Sequence, residues 1–539
     1  MELNKLSRVI SISKNEIYII LFYSLAIGFL SLALPIAAQG LVTIVSFGSV
    51  RQPLFILTFA VFILLTISSI FRLLQSILAE IFQQRLFATT SLKVAERLPK
   101  LQFRTLSDYH GTELLNRFFD VVTIQKSLAD ILLNSTGIVL QSILGLILLA
   151  FYHPALLAFD IIYIIALTLV IALPFRQALA TAYAESDAKY EVAAWLEEMA
   201  RVPYVFHFQG NNQYGVEKAD NVTSDYIKSR QTHFKQLLKH LIGTYIINVL
   251  ASTSLLFVGG LLVLNNQMTL GQLVAAEIIV TSLGSSTVKV GRFLEKIYDL
   301  FAATEKVHTL LDLPTETENT KDLKSLAVKT MFNSAPVIEA NNITITPNLN
   351  PLSFRIAPEE SIALISFTPA GKSKLLQCLL GLREPIDGEI KYNNIPLKYY
   401  SINAFRKRVS YINEIEIFDG TILDNILVGR KDIPLNKVIE LINALQLNKT
   451  INMLPDKIDS YIGGYQQPLS SVERMKIMFL RSYLSNPYLI VVDGAFDIFS
   501  REDLMVVLAL INQPGKKWTL IASTRREDVA NLFEKRITL

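Results

Sequence analysis

The strongest constraint on this chain is a set of six long apolar stretches in its first half. They run roughly from Ile17 to Ser46, Leu54 to Leu78, Ile131 to Phe151, Ala155 to Phe175, Leu241 to Leu264 and Leu270 to Val288. Each is near or above the ~20 residues that a helix needs to cross a bilayer. Buried core helices of a large soluble protein are the competing reading, and six such runs with almost no charge argue against it. The mean hydropathy of +0.38, with only 18% charged residues, points the same way. A net charge of +4 is too small to argue for a nucleic-acid partner. The one cysteine, Cys378, excludes an internal disulfide and a cysteine-rich metal site, and reads as a small core residue. No cleavable signal is evident, because the first apolar run is too long for a signal core.

Basic residues orient the six stretches. The connection between the first two carries only Arg51, that between the third and fourth is Tyr152-His153-Pro154, and that between the last two is Asn265-Asn266-Gln267. Arg85, Lys93, Arg97, Lys100, Arg104, Arg117 and Lys126 crowd the second connection, and the fourth is also basic. Both termini are therefore expected in the cytoplasm, with three tight outer turns and two long inner excursions. Gln83 to Leu101, Arg176 to Met199 and Val222 to His240 keep helical spacing, so helices are expected to project well beyond the membrane. Met1 to Glu16 reads as a short interfacial amphipathic helix. Breaks at Ser107 to Gly111 and Phe206 to Asn212 read as helix tips contacting a cytoplasmic domain, or as ordinary helix–helix turns. The expected organisation is a helical transmembrane domain over 1–311, a linker over 312–336 and an α/β domain over 337–539.

In that last domain Ile362-Ala363-Leu364-Ile365 reads as a buried strand, followed by the turn-rich Ser366 to Gly371, then Lys372-Ser373-Lys374 and a helical pattern. Strand, loop, Gly-Lys-Ser and helix is the layout of a phosphate-binding loop, in which helix N–H groups and a lysine meet the anion and a serine ligates magnesium. The match is damaged: Ser366 replaces the first glycine, and Pro369 removes a backbone donor. Lys372 as a helix-end cation, Asp493 as an N-cap and Ser470 as an N-cap are the competing structural roles.

Four more segments follow in order: RVSYINEIEIFDGTILDNI from Arg408, LSSVERMKIMFLRSYLSNP from Leu469, LIVVD ending in Asp493, and LIAST ending in Thr524. With the six spans, HGTELLNRF and MTLGQLVA, they make the chain resemble ABC transporters of the exporter form, nearest to peptide and type I secretion exporters. The resemblance implies a six-span domain fused to a P-loop nucleotide-binding domain, ATP and magnesium as cofactors, and a multi-pass protein of a bacterial inner or plasma membrane. It implies nucleotide contacts at Gly371, Lys372, Ser373, Lys374, Ser470 and Ser471, and a magnesium set of Ser373, Asp493 and Asn413.

The departures from the family pattern carry as much information. The family's catalytic glutamate falls on Gly494, its switch histidine on Thr524, its loop glutamine on Asn413, and its adenine-stacking aromatic near Pro347. The LSGGQ signature is Leu469-Ser470-Ser471-Val472-Glu473, where Val472 brings a branched side chain and Glu473 a negative charge to an anion site. A positioned general base contributes roughly 10²–10⁴ in rate, so weak or absent hydrolysis is expected. Within the spans, Gln39, Gln75, Gln141, Asn248 and Glu277 are polar, and Glu277 is the candidate on the substrate path, or else an interhelical hydrogen-bonding group.

Two functions remain in view. The first is an exporter half that dimerises, preferably with an intact ABC half rather than with itself, and that meets membrane lipid and an adaptor protein. The second is a non-hydrolysing membrane scaffold or regulatory subunit.

Overall fold

The computed structural model describes residues 14–46, 51–103, 105, 111–208, 212–316, 333–347, 350–365, 371–463 and 468–538. The interfacial helix expected before Lys14, most of the expected linker, the loop from Ser366 to Ala370 and parts of both expected tips lie outside them. Two units emerge, Met1–Pro99 with Tyr109–Leu313, and Lys100–Asp108 with Pro314–Leu539.

Among the described residues of the first unit, six helical segments are long and apolar enough to cross a membrane: Lys14–Ser46, Gln52–Lys100, Leu114–Tyr152, Pro154–Arg201, Gln213–Leu264 and Leu270–Leu311. The first is broken into α1 (Lys14–Ser31) and α2 (Ala33–Ser46). Pro35 has no N–H to return to Ser31, so the ladder is interrupted there. Helix α3 (Arg51–Arg97) runs 47 residues from apolar into charged sequence. The third segment passes from α4 (Asp120–Asp130) through a π-turn at Ile131–Ser135 into α5 (Thr136–Tyr152). Helix α6 (Pro154–Arg201) starts sharply because the His153 side chain accepts the Ala155 N–H at 3.1 Å and Pro154 suits a first turn. After α7 (Asn212–Leu264), α8 (Leu270–Leu311) opens on a capping box between Thr269 and Gln272.

Phe55, Phe59 and Phe62 on α3, and Leu256 and Phe257 on α7, are exposed, as lipid-facing side chains would be. Most polar groups within the spans are satisfied between helices. Gln75 donates to Ser24 at 2.7 Å, Gln141 to Ser282 at 3.0 Å, and Tyr152 to Gln39 at 2.7 Å. Asn248 lies against Gly284, where an added Cβ would stand 1.8 Å from its Oδ1. Pro174, inside α6, leaves the carbonyl of Val170 without its helical donor. The Nδ1 of His240 on α7 stands 3.0 Å from that oxygen, and its Nε2 stands 3.0 Å from the Tyr298 hydroxyl on α8. One buried imidazole, donating at Nδ1 and accepting at Nε2, thus ties three helices at the point where one of them is weakened.

The second unit is α/β. A parallel sheet has the order β11-β3-β10-β9-β6, built from β3 (Ser361–Ile365), β6 (Val409–Ile412), β9 (Leu489–Asp493), β10 (Thr519–Thr524) and β11 (Lys535–Thr538). Strands β3 and β10 are buried at every residue, which explains their unbroken apolar runs. An antiparallel sheet, β2-β1-β4-β5, holds β1 (Ile338–Thr344), β2 (Leu352–Ile356), β4 (Asp387–Tyr392) and β5 (Ile395–Pro396). A small pair joins β7 (Gly420–Thr421) to β8 (Tyr461–Ile462). Cys378 is buried in the core beside Leu375 and Leu379, in keeping with its sequence reading. Unanticipated from sequence, Leu101 bridges Thr315, and Gln102 donates to Pro314 O at 3.1 Å within this unit.

Candidate functional site

The candidate residues gather at the carboxyl ends of adjacent parallel strands, where open α/β sheets place ligands. Register fixes this: Thr524 pairs with Ile365, Ser523 with Asp493, and Val492 with Ile412, immediately before Asn413. Lys372, Asp493, Gly494, Asn413 and Thr524 therefore meet at one edge of one sheet.

Helix α9 (Lys372–Leu379) begins at Gly371, whose φ of 128° is in the region that favours glycine. No side chain among the described residues caps α9, so none of them satisfies its first N–H groups. Lys372 is buried at 6% exposure, whereas Ser373 and Lys374 are exposed. Burial, helped by nearby Arg525, pushes the Lys372 ammonium below the ordinary lysine value, while Asp497 and Asp493 pull it back up. An uncapped helix start with a buried cation beside it fits an anion such as a nucleotide phosphate. Ser373, Asp493 and Asn413 are oxygen donors, the chemistry that magnesium takes. Asp493 accepts from Ser523 at 2.6 Å through one oxygen and from Tyr411 at 3.3 Å through the other, which leaves lone pairs on both. Burial, and then the Asp493 charge, push the Tyr411 phenol up, so it stays a donor.

The N-cap role considered for Asp493 is not what the structure shows. Gly494 itself caps the short turn Ala495–Ile498, at φ 70°. A Cβ at Gly494 would find nothing within 4 Å, so there is room for a side chain but backbone strain for any residue that carries one. Thr524 is fully buried and donates to Asp497, whose other oxygen accepts the Arg525 N–H at 3.1 Å. Asp497 is thereby engaged on both oxygens. Pro347 lies exposed at a turn after β1 and offers no aromatic ring.

The signature helix α10 (Ser471–Leu484) corrects one expectation. Val472 packs partly buried against the core instead of standing free. Glu473 folds back into a capping box: its carboxylate accepts the Ser470 N–H at 2.8 Å and the Thr450 hydroxyl, while Ser470 Oγ accepts the Glu473 N–H at 3.3 Å. Burial alone would raise the Glu473 carboxyl, but the hydrogen bonds from Thr450 and Ser470 outweigh it and hold the group below its ordinary 4.5. So among the described residues the start of α9 carries no side-chain cap, whereas that of α10 does. Ser470 and Ser471 are exposed on α10, and no hydrogen bond among the described residues links them to the strand-end cluster. Glu473→Ala is expected to cost the nucleotide-binding domain about 1 kcal/mol in a denaturant titration. Because the folded carboxyl is held low, that stabilisation is present above pH 4.5 and is lost as pH falls through the folded value.

Glu277 lies in the other unit, half-buried on α8, with Oε2 buried and unpartnered among the described residues. A second acidic residue, Asp160 on α6, escaped the sequence reading. It interrupts the fourth apolar stretch and is 3% exposed. A lone carboxylate in such a run was the available signal.

Residues 349–497 match the ABC transporter family. A putative export ATP-binding/permease protein of Rickettsia bellii is 23% identical over 83% of this chain and 80% of its own. The Lactococcin-G-processing and transport ATP-binding protein of Lactococcus lactis is 22% identical over 85% of this chain and 65% of its own. The solved structure of a bacterial Atm1-family ABC exporter with ATP bound superposes with a TM-score of 0.86, covering 98% of this chain and 94% of that one at 18% identity. Six helices long and apolar enough to cross a membrane are thus followed by an ABC transporter ATP-binding domain, in the fold and domain order of an ABC exporter.

Proposed function

We propose that this chain is one half of an ABC exporter, that it binds ATP with magnesium at Gly371, Lys372, Ser373, Asp493 and Asn413, and that its own hydrolysis is weak or absent. The observation that carries the reading is the left-handed Gly494 directly after Asp493, with Thr524 buried on Asp497. A carboxylate that polarises water and a histidine that senses the phosphate both have no counterpart there. Bound ATP supplies the phosphoanhydride whose cleavage drives transport, and this chain's residues hold and orient it. Six spans make half of a path, so the half pairs with a second. Basic excursions support cytoplasmic termini and a cytoplasmic ATP-binding domain. An intact ABC partner is preferred, because a homodimer would lack the base at both sites. An adaptor protein and membrane lipid are further partners on this reading. The Lactococcus relative supports a peptide or protein cargo, with Glu277 on its path.

The test is Mg-ATP hydrolysis by the chain purified alone in lipid, beside Lys372→Ala prepared identically. Indistinguishable rates are expected. A rate well above background that Lys372→Ala abolishes would refute the weak-hydrolysis reading. The closed cap of α10 favours one alternative, a non-hydrolysing scaffold or regulatory subunit, because that helix start is already satisfied within the chain. Transport by the reconstituted chain with an intact ABC half, and none without it, would reject the scaffold.

A further inference from the structure

Within the apolar spans, Asp160 and Glu277 are acidic groups with no counter-charge among the described residues. Residues 136–175 and 241–288 contain Asp160 and Glu277 but no lysine or arginine. Both carboxylate oxygens of Asp160, and Oε2 of Glu277, are buried without a hydrogen-bond partner among the described residues. Arg72, in the second apolar stretch, is exposed and near the opposite end of its span.

Their placement is shared. Asp160 lies less than two turns after Pro154, and Glu277 about two turns after Leu270, so both sit near the end that carries the tight turns. Helices α6 and α8 run parallel: Tyr163 contacts Leu283 O at 3.4 Å and Thr287, and Phe175 rings with Tyr298 at 5.4 Å. By that register Asp160 is level with Val280 to Leu283, and Glu277 is about one turn nearer the turn end. Leu156 and Tyr163, on the same face as Asp160, pack with Leu255, Ala276 and Ile279. Of the helices packed against α6, the apolar parts of α5 and α7 bring no titratable group to this level, and α8 brings Glu277. Tyr163, three residues on, is the nearest other titratable residue in sequence, followed by His153 at the cap of α6.

A carboxylate in a bilayer interior is expensive unless it is paired, and the described residues supply no pair. Gln141 and Ser282 lie at the same level and satisfy each other instead. We infer that Asp160, with Glu277 on the neighbouring helix, forms an acidic site for a compound that carries a positively charged group. The inference rests on the transport reading and narrows its cargo to cations with an apolar body that suits the surrounding Leu, Ile and Tyr. The site is closed in this conformation and is reached when the helices part.

The experiment uses the full chain in nanodiscs of phosphatidylcholine, with tetraphenylphosphonium as the probe and tetraphenylborate as its anionic counterpart. Binding is counted above that of empty discs. Saturable tetraphenylphosphonium binding is expected, weakened about tenfold or more by the near-isosteric Asp160→Asn and less by Glu277→Gln, with no saturable tetraphenylborate binding. Equal affinity in Asp160→Asn, equal binding of the two probes, or no saturable binding by the unmodified chain would each overturn it. So would a pH-dependent thermal stability that Asp160→Asn abolishes while leaving probe binding intact, because the site would then hold only a proton. ATP binding by the same discs checks folding. It also separates failure of this site from failure of the transporter reading.

Discussion

Lys372→Ala is expected to weaken ATP binding by roughly 30-fold to several thousand-fold, the equivalent of about 2–5 kcal/mol for removing one member of a buried charge pair. The size follows from where the lysine sits. It is almost fully buried at the start of a helix that no described side chain caps, and the nearby charges include two carboxylates and Arg525. Water does little to screen it, so its attraction to a phosphate is large. Removing it leaves Asp493 and Asp497 facing the anion with Arg525 as the nearby positive charge. Lys374→Ala is the matched control: that side chain is exposed, and a change of less than threefold is expected. Binding of a fluorescent ATP analogue in lipid, with thermal unfolding alongside, measures both. Equal losses in the two variants would mean that the helix, and not Lys372, holds the phosphate.

The second large effect is a gain. Gly494→Glu combined with Thr524→His is expected to raise the ATP hydrolysis rate about 100-fold, the lower end of what a positioned base contributes. The space exists, since a Cβ at Gly494 meets no atom within 4 Å. Each change has a structural cost. A non-glycine residue at φ 70° adds about 1–3 kcal/mol of strain. Histidine at fully buried Thr524 breaks the bond to Asp497 and overpacks the site by about 1–3 kcal/mol. A lower melting temperature together with faster phosphate release is therefore the expected pair of readings. Destabilisation without any rate gain, at unchanged ATP affinity, would move the defect from the base to the closed signature helix.

Much of this was legible in the residues. Six apolar stretches dictate six spans because bilayer thickness sets a length that few other structures require. Unbroken runs such as Ile362 to Ile365 and Leu489 to Asp493 announce strands covered on both faces. Motif order singles out Gly494 and Thr524, and the strand register brings both to the same end of the sheet. What stayed hidden was how each altered position is satisfied. Glu473 looks from sequence like a charge aimed at an anion, and only the fold shows it returning to its own helix cap. Ser470 reads as an N-cap from sequence, but nothing there reveals Thr450, which comes from a remote segment. Asp160 was passed over because one acid barely changes the hydropathy of its stretch, and burial is invisible until the helices pack.

The bond between His240 and the carbonyl freed by Pro174 has a mechanical consequence. A proline ordinarily gives a helix a soft point, because the released carbonyl can tilt toward water and the axis can flex. Here the carbonyl is held from the neighbouring helix, in a place from which solvent is excluded, and the same ring grips a third helix through Tyr298. Bending α6 at this level would strand a buried oxygen, so the joint resists flexure. Force applied at one end of α6 is then delivered to the other as rotation of a rigid lever, with α7 and α8 carried along on the same pin.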